Sequence, residues 1–385
     1  MRIAFDLHNI RDGGGPNYIR NILRVAEPTD VGIDEVILIG SREVLSFHPD
    51  RPFVKKVAVP ALEGGLVSRL RFVALEMPRL LRELSVDLLY VPGGLAFGNF
   101  RPYATISRNM MPFSPELWGQ YPAFSFDRFR LHALRRLNAR TFARSDGMIF
   151  LTETARAAIT PTMSRLPREV AVIAHGVDHE RFRPPALLRK IEAGLGRETT
   201  ARIVYPSRFE PYKHQVEVIA ALDRLREAFP LLQLDLCGPA NPDYFARFQQ
   251  ELTDFPDLAD SVRYLGEIPN ADLPALYADA DLMVFASSCE NLPNILIEAL
   301  ACGIPIVCSN RSPMPEVAQD ACVYFDPADP TSIADAIREA LENPRETLER
   351  AARGIEIAAD YNWRRCADRT FALLATVAGS GHTGD

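Results

Sequence analysis

Cys289-Glu290-Asn291-Leu292-Pro293-Asn294-Ile295-Leu296-Ile297-Glu298-Ala299-Leu300-Ala301-Cys302-Gly303-Ile304-Pro305 decides how the chain is read. The apolar run Leu282-Met283-Val284-Phe285-Ala286 before it has the length and composition of a buried strand, which Ser287, Ser288 and Glu290 end with polar side chains. Pro293 suits the first turn of a helix, where its missing N–H is not needed. Gly303 and Pro305 stop that helix. Glu290 is therefore expected in a loop at the carboxyl edge of a sheet, and Glu298 a turn or two into the following helix. Exposed amides at a helix start, flanked by two acceptor-only carboxylates, suit a ligand with phosphates at one end and hydroxyls at the other. A nucleotide-sugar has that form.

Working outward, 385 residues are long for one core and point to two domains. Apolar residues at 47% and charged residues at 24% are ordinary globular values. No run approaches the ~20 apolar residues that span a bilayer, and the start enters a strand directly without an apolar export segment. Cys237, Cys289, Cys302, Cys308, Cys322 and Cys366 form no CxxC pair, so reduced thiols in a cytoplasmic protein are expected over disulfides or zinc. The net charge of −7 is unevenly placed: residues 1–190 carry 27 Lys and Arg against 19 acids, residues 191–385 the remaining 16 against 31. A basic first half meets something anionic, a membrane surface or a phosphorylated acceptor. No nucleic-acid-binding motif accompanies the scattered cations.

In chain order, strand 2–7 feeds Asp12-Gly13-Gly14-Gly15-Pro16-Asn17 and a helix over about 18–25. A strand, a glycine loop and a helix open an α/β domain. The loop is not GxGxxG, so the dinucleotide fingerprint is absent. Its glycines would let backbone approach a ligand closely, or simply make a tight turn. Further strands are expected at 35–39, 53–59, 88–91, 103–107, 147–151 and 170–174, with helices between most of them. Residues 66–82 and 128–144 are basic and amphipathic. Each is read first as a solvated arginine face on a core-packed helix, and second as a surface for an anionic membrane.

A proline-bearing linker follows Gly176-Val177-Asp178, and a second alternating series places strands at 202–205, 233–237, 262–265, 282–286, 304–309 and 322–325. Two doubly wound parallel-sheet domains are expected, 1–188 and 189–360, with a closing helix from about 363 and a disordered tail over 379–385. Tyr205-Pro206-Ser207-Arg208-Phe209-Glu210-Pro211-Tyr212-Lys213 follows the first strand of the second series. Arg208 and Lys213 thus stand at a strand's carboxyl edge, where open α/β sheets bind ligands, and two cations there could clamp a diphosphate.

Ser207-Arg208 with Lys213, Tyr264-Leu265-Gly266, Glu290 with Glu298 and the Ala299–Val307 run, and His175-Gly176-Val177-Asp178 together resemble the retaining GT-B glycosyltransferases of family 4. The resemblance implies two facing Rossmann-like domains, donor bound mainly by the second and acceptor by the first, and a terminal helix returning to the first. It implies that Arg208 and Lys213 neutralise the donor diphosphate, that Glu290 faces the transferred sugar, and that Glu298 faces the ribose. Backbone at Asn291, Leu292, Pro293 and Asn294 would supply helix N-terminal contacts, Gly266 would line the donor site, and Gly14 and Gly15 would approach the diphosphate. Where members often have Gly-Phe-Gly, this chain has Asn291-Leu292-Pro293; where many place a histidine, it has Arg108-Asn109, which makes Asn109 a candidate catalytic group or a structural cap.

Asp279-Ala280-Asp281 matches the DxD pattern of metal-dependent transferases, but a helix end entering a buried strand makes it structural, and no metal or organic cofactor is expected. His8 and His175 are read as satisfied structural histidines. The expected activity is transfer of a sugar from a nucleotide diphosphate to a glycan or glycolipid hydroxyl, in the cytoplasm or at the inner face of a membrane. Rival readings are a sucrose- or trehalose-type synthase, a phosphorylase, an epimerase, or a non-catalytic sugar-binding protein.

Overall fold

The computed structural model describes residues 1–10, 14–184 and 200–380. The expectations for Asp12 and Gly13, for the linker after residue 184, and for the last five residues of the tail lie outside these. Two compact units are present, one of residues 1–176 with 362–385, the other of residues 177–361.

The first unit is built on β1 (Arg2–Asp6), β2 (Glu35–Gly40), β3 (Val54–Ala58), β4 (Leu88–Val91), β5 (Tyr103–Ile106), β6 (Gly147–Phe150) and β7 (Glu169–Val172). They form one parallel sheet in the order β3-β2-β1-β4-β5-β6-β7, with Ile3 opposite Val36 on one side and Leu88 on the other. Central strands are apolar on both faces, as helices on either side of a parallel sheet require. The helix Trp363–Ser380 closes this unit. Cys366, Thr370, Leu374 and Val377 recur every three or four residues on its buried stripe. Gly147 permits the approach, since a Cβ there would lie 2.6 Å from Val377.

The second unit carries β8 (Ala201–Pro206), β9 (Leu232–Cys237), β10 (Val262–Tyr264), β11 (Leu282–Phe285), β12 (Ile306–Ser309) and β13 (Val323–Phe325), in the parallel order β10-β9-β8-β11-β12-β13. The helix Gln215–Leu225 buries Val218, Leu222 and Leu225 against it. At about 1.5–3 kcal/mol for each fully buried aliphatic side chain, such stripes carry the fold.

The first division falls between Gly176 and Val177, ahead of residue 188. The Val177 N–H donates to the Tyr361 carbonyl (3.0 Å), and Phe182 is buried within the second unit, so the chain joins that unit before its prolines. The helix after Glu290 is Asn294–Cys302, with Pro293 at the N-cap instead of inside the first turn, and Gly303 ends it at φ 68°. Residues 66–83 form Leu66–Arg71, a π-helical turn Phe72–Glu76 and Met77–Glu83. Phe72, Val73, Met77 and Leu81 enter the core and Arg79 pairs with Glu83 (2.8 Å), while Leu66, Val67 and Leu75 are exposed. All six cysteines are buried free thiols. No helix among the described residues is long and apolar enough to cross a membrane.

Candidate functional site

In the second unit the connections from β8 and from β11 leave the sheet in opposite directions. Between these two neighbouring strands lies the crevice where doubly wound sheets hold ligands. The β8 loop runs through Ser207, Arg208, Phe209 and Glu210 into a 3₁₀ turn, Pro211–Lys213, then His214 at φ 54° and the helix Gln215–Leu225. The buried Phe209, edge-on to Phe245, Phe248 and Tyr264, anchors the loop. Gln215, fully buried, donates to the Arg208 carbonyl (2.9 Å), and the Tyr205 hydroxyl donates to the Lys213 carbonyl (2.5 Å). The loop backbone is thus tied at both ends, while the Arg208 side chain is exposed and pairs with no carboxylate among the described residues.

Lys213 and Glu290, assigned by resemblance to opposite ends of a donor, lie against each other. The Lys213 ammonium donates to Glu290 Oε1 in an ion pair with side chains only 11% and 18% exposed. The ammonium also sits 5.4 Å from the ring centres of Tyr212 and Phe285. Ser288 joins the same loops, its N–H donating to the Tyr212 carbonyl (2.9 Å) and its Oγ lying 2.6 Å from His214 Nε2. A partly buried pair of this kind holds the β8 and β11 loops together, and breaking it leaves a charge with reduced solvation.

Asn291 and Leu292 are buried, and Pro293 offers no side-chain cap to the helix Asn294–Cys302. The positive end of the helix dipole is therefore open at the sheet edge. Glu298 lies in the second turn, half-buried. Asn270 Nδ2 donates to both its oxygens (3.2 and 3.3 Å), and Arg181 donates to the Asn270 carbonyl (2.8 Å) and Oδ1 (3.1 Å). Because Arg181 is a donor only, it fixes the Asn270 amide with its NH₂ towards Glu298. Burial pushes the Glu298 carboxyl up to about 7, opposed by the Asn270 hydrogen bonds and the Arg181 charge. Burial also pushes the Cys302 thiol up to about 12, with Glu298 adding to it, so Cys302 is no thiolate nucleophile.

Gly266 (φ 75°) faces open space, and its carbonyl accepts from the Gly238 N–H (2.9 Å). Gly238, at φ 135°, lies so close to the β8 loop that a Cβ would meet the Ser207 carbonyl at 2.3 Å. Asp281 is at the other, amino edge of the sheet. Its carboxylate accepts from the Arg202 N–H (2.8 Å), which gives it a structural task joining β8 to β11.

The first unit gathers a second set at its own carboxyl edge. Gly14 and Gly15 begin the helix Gly14–Val25, Gly14 exposed and Gly15 buried under Arg108. A Cβ on Gly15 would lie 2.7 Å from the Arg108 guanidinium. Asn109 is exposed, and its Oδ1 accepts from the Met111 N–H (3.1 Å), the geometry of a structural cap. Arg108 is the side chain that reaches the glycines. Burial depresses its pKa, while the buried, hydrogen-bonded Tyr18 and Tyr90 (2.8 Å apart) raise it. His8 Nδ1 is 2.8 Å from both oxygens of Asp6, and His175 stacks between Tyr18 (4.8 Å) and Trp363 (5.6 Å), both in structural settings.

Sequence reading did not find Arg181, Asn270 or Gly238. The first two meet Glu298 from distant segments, so no local pattern marks them. Gly238 directly after an apolar strand was a readable sign of close backbone approach.

Residues 189–358 match the family model for glycosyl transferases group 1. The O-antigen chain mannosyltransferase B of Escherichia coli is 38% identical over 109 residues, 28% of this chain and 29% of that protein. The D-inositol 3-phosphate glycosyltransferase of Salinispora arenicola (strain CNS-205) is 30% identical over 253 residues, 62% of this chain and 55% of that protein. The matched part thus spans about half or less of these relatives' length. Among solved structures, sucrose-phosphate synthase from Thermosynechococcus elongatus superposes with a TM-score of 0.76 at 18% identity, covering 99% of this chain and 100% of that one. Anabaena HepE in complex with UDP and glucose gives 0.68 at 20% identity, with both chains covered in full. At such identities the superpositions speak for the fold alone. Residues 189–358 thus resemble the glycosyl transferases of group 1, and the two Rossmann-like units have the GT-B fold of these solved structures.

Proposed function

We propose that the chain transfers a hexose from a nucleoside diphosphate to a hydroxyl of a lipid-linked or polysaccharide glycan, with retention at the anomeric carbon and without a metal ion. The observation that carries this is the grouping at one sheet edge of an exposed Arg208 with no carboxylate partner among the described residues, a helix start at Asn294 without a side-chain cap, and Glu298 on the same helix. A dipole end and a guanidinium suit phosphate oxygens, and a carboxylate suits vicinal hydroxyls. The names of the relatives, a mannosyltransferase and an inositol-phosphate glycosyltransferase, agree with a sugar donor of this class.

On this reading the acceptor oxygen bonds to the anomeric carbon on the face from which the diphosphate departs. The bond from that carbon to the phosphate oxygen breaks, and the acceptor proton passes to an oxygen of the leaving group. Arg208 and the helix dipole stabilise the charge that develops there. Lys213 acts from within its pair with Glu290, which holds the glutamate in place beside the sugar. Glu298 accepts from the ribose.

A thermal-shift panel of nucleoside diphosphates and their sugars tests the reading, because a ligand at ~100 times its Kd stabilises by about 2.7 kcal/mol. A shift with one diphosphate and its sugar, lost in Arg208→Ala, is expected. No shift with any diphosphate removes the proposal. Turnover is expected to survive excess chelator, and abolition would return Asp279 and Asp281 to consideration. Anomeric analysis of the product by NMR decides retention.

A further inference from the structure

The helix Phe126–Arg144 in the first unit is capped by Ser125, whose Oγ accepts from the Arg128 N–H (3.2 Å). It turns Asn138, Ala139, Thr141, Phe142 and Ala143 inward. Its outward face is not the polar one that water favours. Phe126 is 77% exposed and Phe129 71%, and Phe124 just before the cap is fully exposed. Positions 126, 130, 133, 137, 140 and 144 recur every three or four residues, so Phe126, Arg130, Leu137, Arg140 and Arg144 share one side. The helix holds six arginines and one aspartate, and none of these arginines pairs with a carboxylate among the described residues. Residues 66–83 also expose Leu66, Val67 and Leu75, but there Phe72, Val73, Met77 and Leu81 enter the core and Arg79 is paired with Glu83.

A cavity of about 250 Å³ opens beside this face, between residues 95–103 and the last turns of the helix. Leu95, Phe97, Phe100 and Leu137 give it apolar walls, and Arg140 and Arg144 also line it. The third arginine present, Arg101, is neutralised by Asp146 (2.9 and 3.0 Å). An apolar hollow edged by two unpaired, exposed arginines fits an amphiphile with an anionic head. Three protruding phenylalanines within one turn of the helix start suit the interface of a bilayer.

We propose that this face binds the surface of an anionic bilayer, and that the cavity takes the head end of one phospholipid, its phosphate on Arg140 and Arg144 and the first carbons of a chain against Leu95, Phe97, Phe100 and Leu137. This deepens the acceptor side of the proposed function and rests on it in one respect, that a lipid-linked acceptor is presented at a membrane.

Flotation of the full chain with vesicles tests it, using phosphatidylcholine alone and phosphatidylcholine with phosphatidylglycerol. Binding to the anionic vesicles only is expected. It should weaken about thirtyfold in Arg140→Ala/Arg144→Ala, from about 1 kcal/mol per surface arginine, and further in Phe126→Ser/Phe129→Ser. Equal binding to neutral vesicles, or no loss in the arginine variant, overturns the inference. Inorganic phosphate is expected to displace the protein no more than chloride of equal ionic strength; specific displacement marks a free-anion site and overturns it. The nucleoside-diphosphate thermal shift is read on the same samples. Absent flotation with that shift intact refutes this inference alone, and flotation without any such shift supports this face while removing the proposed function.

Discussion

Glu298→Gln separates what the Glu298 charge costs the fold from what it does for a ligand. The wild-type carboxyl is raised from 4.5 to about 7, chiefly by burial. The folded state therefore holds the proton more tightly than the unfolded chain does. Stability is highest below the unfolded value, falls as pH rises through the window from 4.5 to about 7, and is level above it. At about 1.4 kcal/mol per pH unit the fully expressed cost is roughly 3 kcal/mol, and for a half-buried group screened by water about half of that. Glutamine keeps an acceptor for Asn270 and removes the charge. Urea unfolding should show equal stabilities at about pH 4.5 and the variant ahead by about 1–3 kcal/mol at about pH 8. Ligand binding should show the reverse preference. Ribose hydroxyls favour the ionised carboxylate, so affinity for a nucleoside diphosphate should tighten with pH up to about 7, up to tenfold per unit, with proton release in calorimetry. The variant should bind more weakly at the alkaline end and lose the pH slope. A wild-type slope that survives in the variant, in either experiment, refutes the assignment to Glu298.

Asn270→Ala removes the hydrogen bonds that oppose the upward shift of Glu298, so the affinity–pH profile should move to higher pH; titration calorimetry reads it, and an unmoved profile denies Asn270 its role. For the Lys213–Glu290 pair, Glu290→Ala or Lys213→Ala alone should cost up to about 3 kcal/mol in urea unfolding. The double variant should cost less than the two losses added, with a coupling of about 0.5–3 kcal/mol; strict additivity would mean that the pair does not act as one. Gly238→Ala forces a Cβ to within 2.3 Å of the Ser207 carbonyl at a φ of 135°, and should lower stability by about 3 kcal/mol or more in thermal denaturation. Gly15→Ala meets the tip of Arg108 first (2.7 Å) and the Ile10 Cγ2 methyl less closely (3.2 Å). It should leave the melting temperature within a few degrees and displace the guanidinium, which a crystal structure of the variant would show.

Strands β1 to β13 were legible because short apolar or alternating stretches, bounded by turn residues and interleaved with helical patterns, are local signals. The parallel order followed from that alternation. The positions of Arg208 and Glu290 at strand ends followed too, because the residue after an apolar run is by construction at the sheet edge. Side-chain pairing was not legible. Lys213 meets Glu290 across 77 residues and Asn270 meets Glu298 across 28. Composition at one position holds no information about which distant charge will face it. Asn109 and Arg108 show the same limit: both lie just past β5, and only the packed structure sends one to the Gly15 helix start and the other back to Met111.

By itself, then, the sequence determined the two doubly wound sheets and brought Glu290, Asn294 and Glu298 to one edge, since periodicity and helix punctuation act over a few residues. Tertiary structure alone decided that Lys213 is held by Glu290 while Arg208 is left exposed, and that burial pushes the Glu298 carboxyl up to about 7. It also decided that the arginines of Phe126–Arg144 face outward with phenylalanines beside them. Charge state and charge partners depend on burial and on distance through space, and neither exists until the chain has folded.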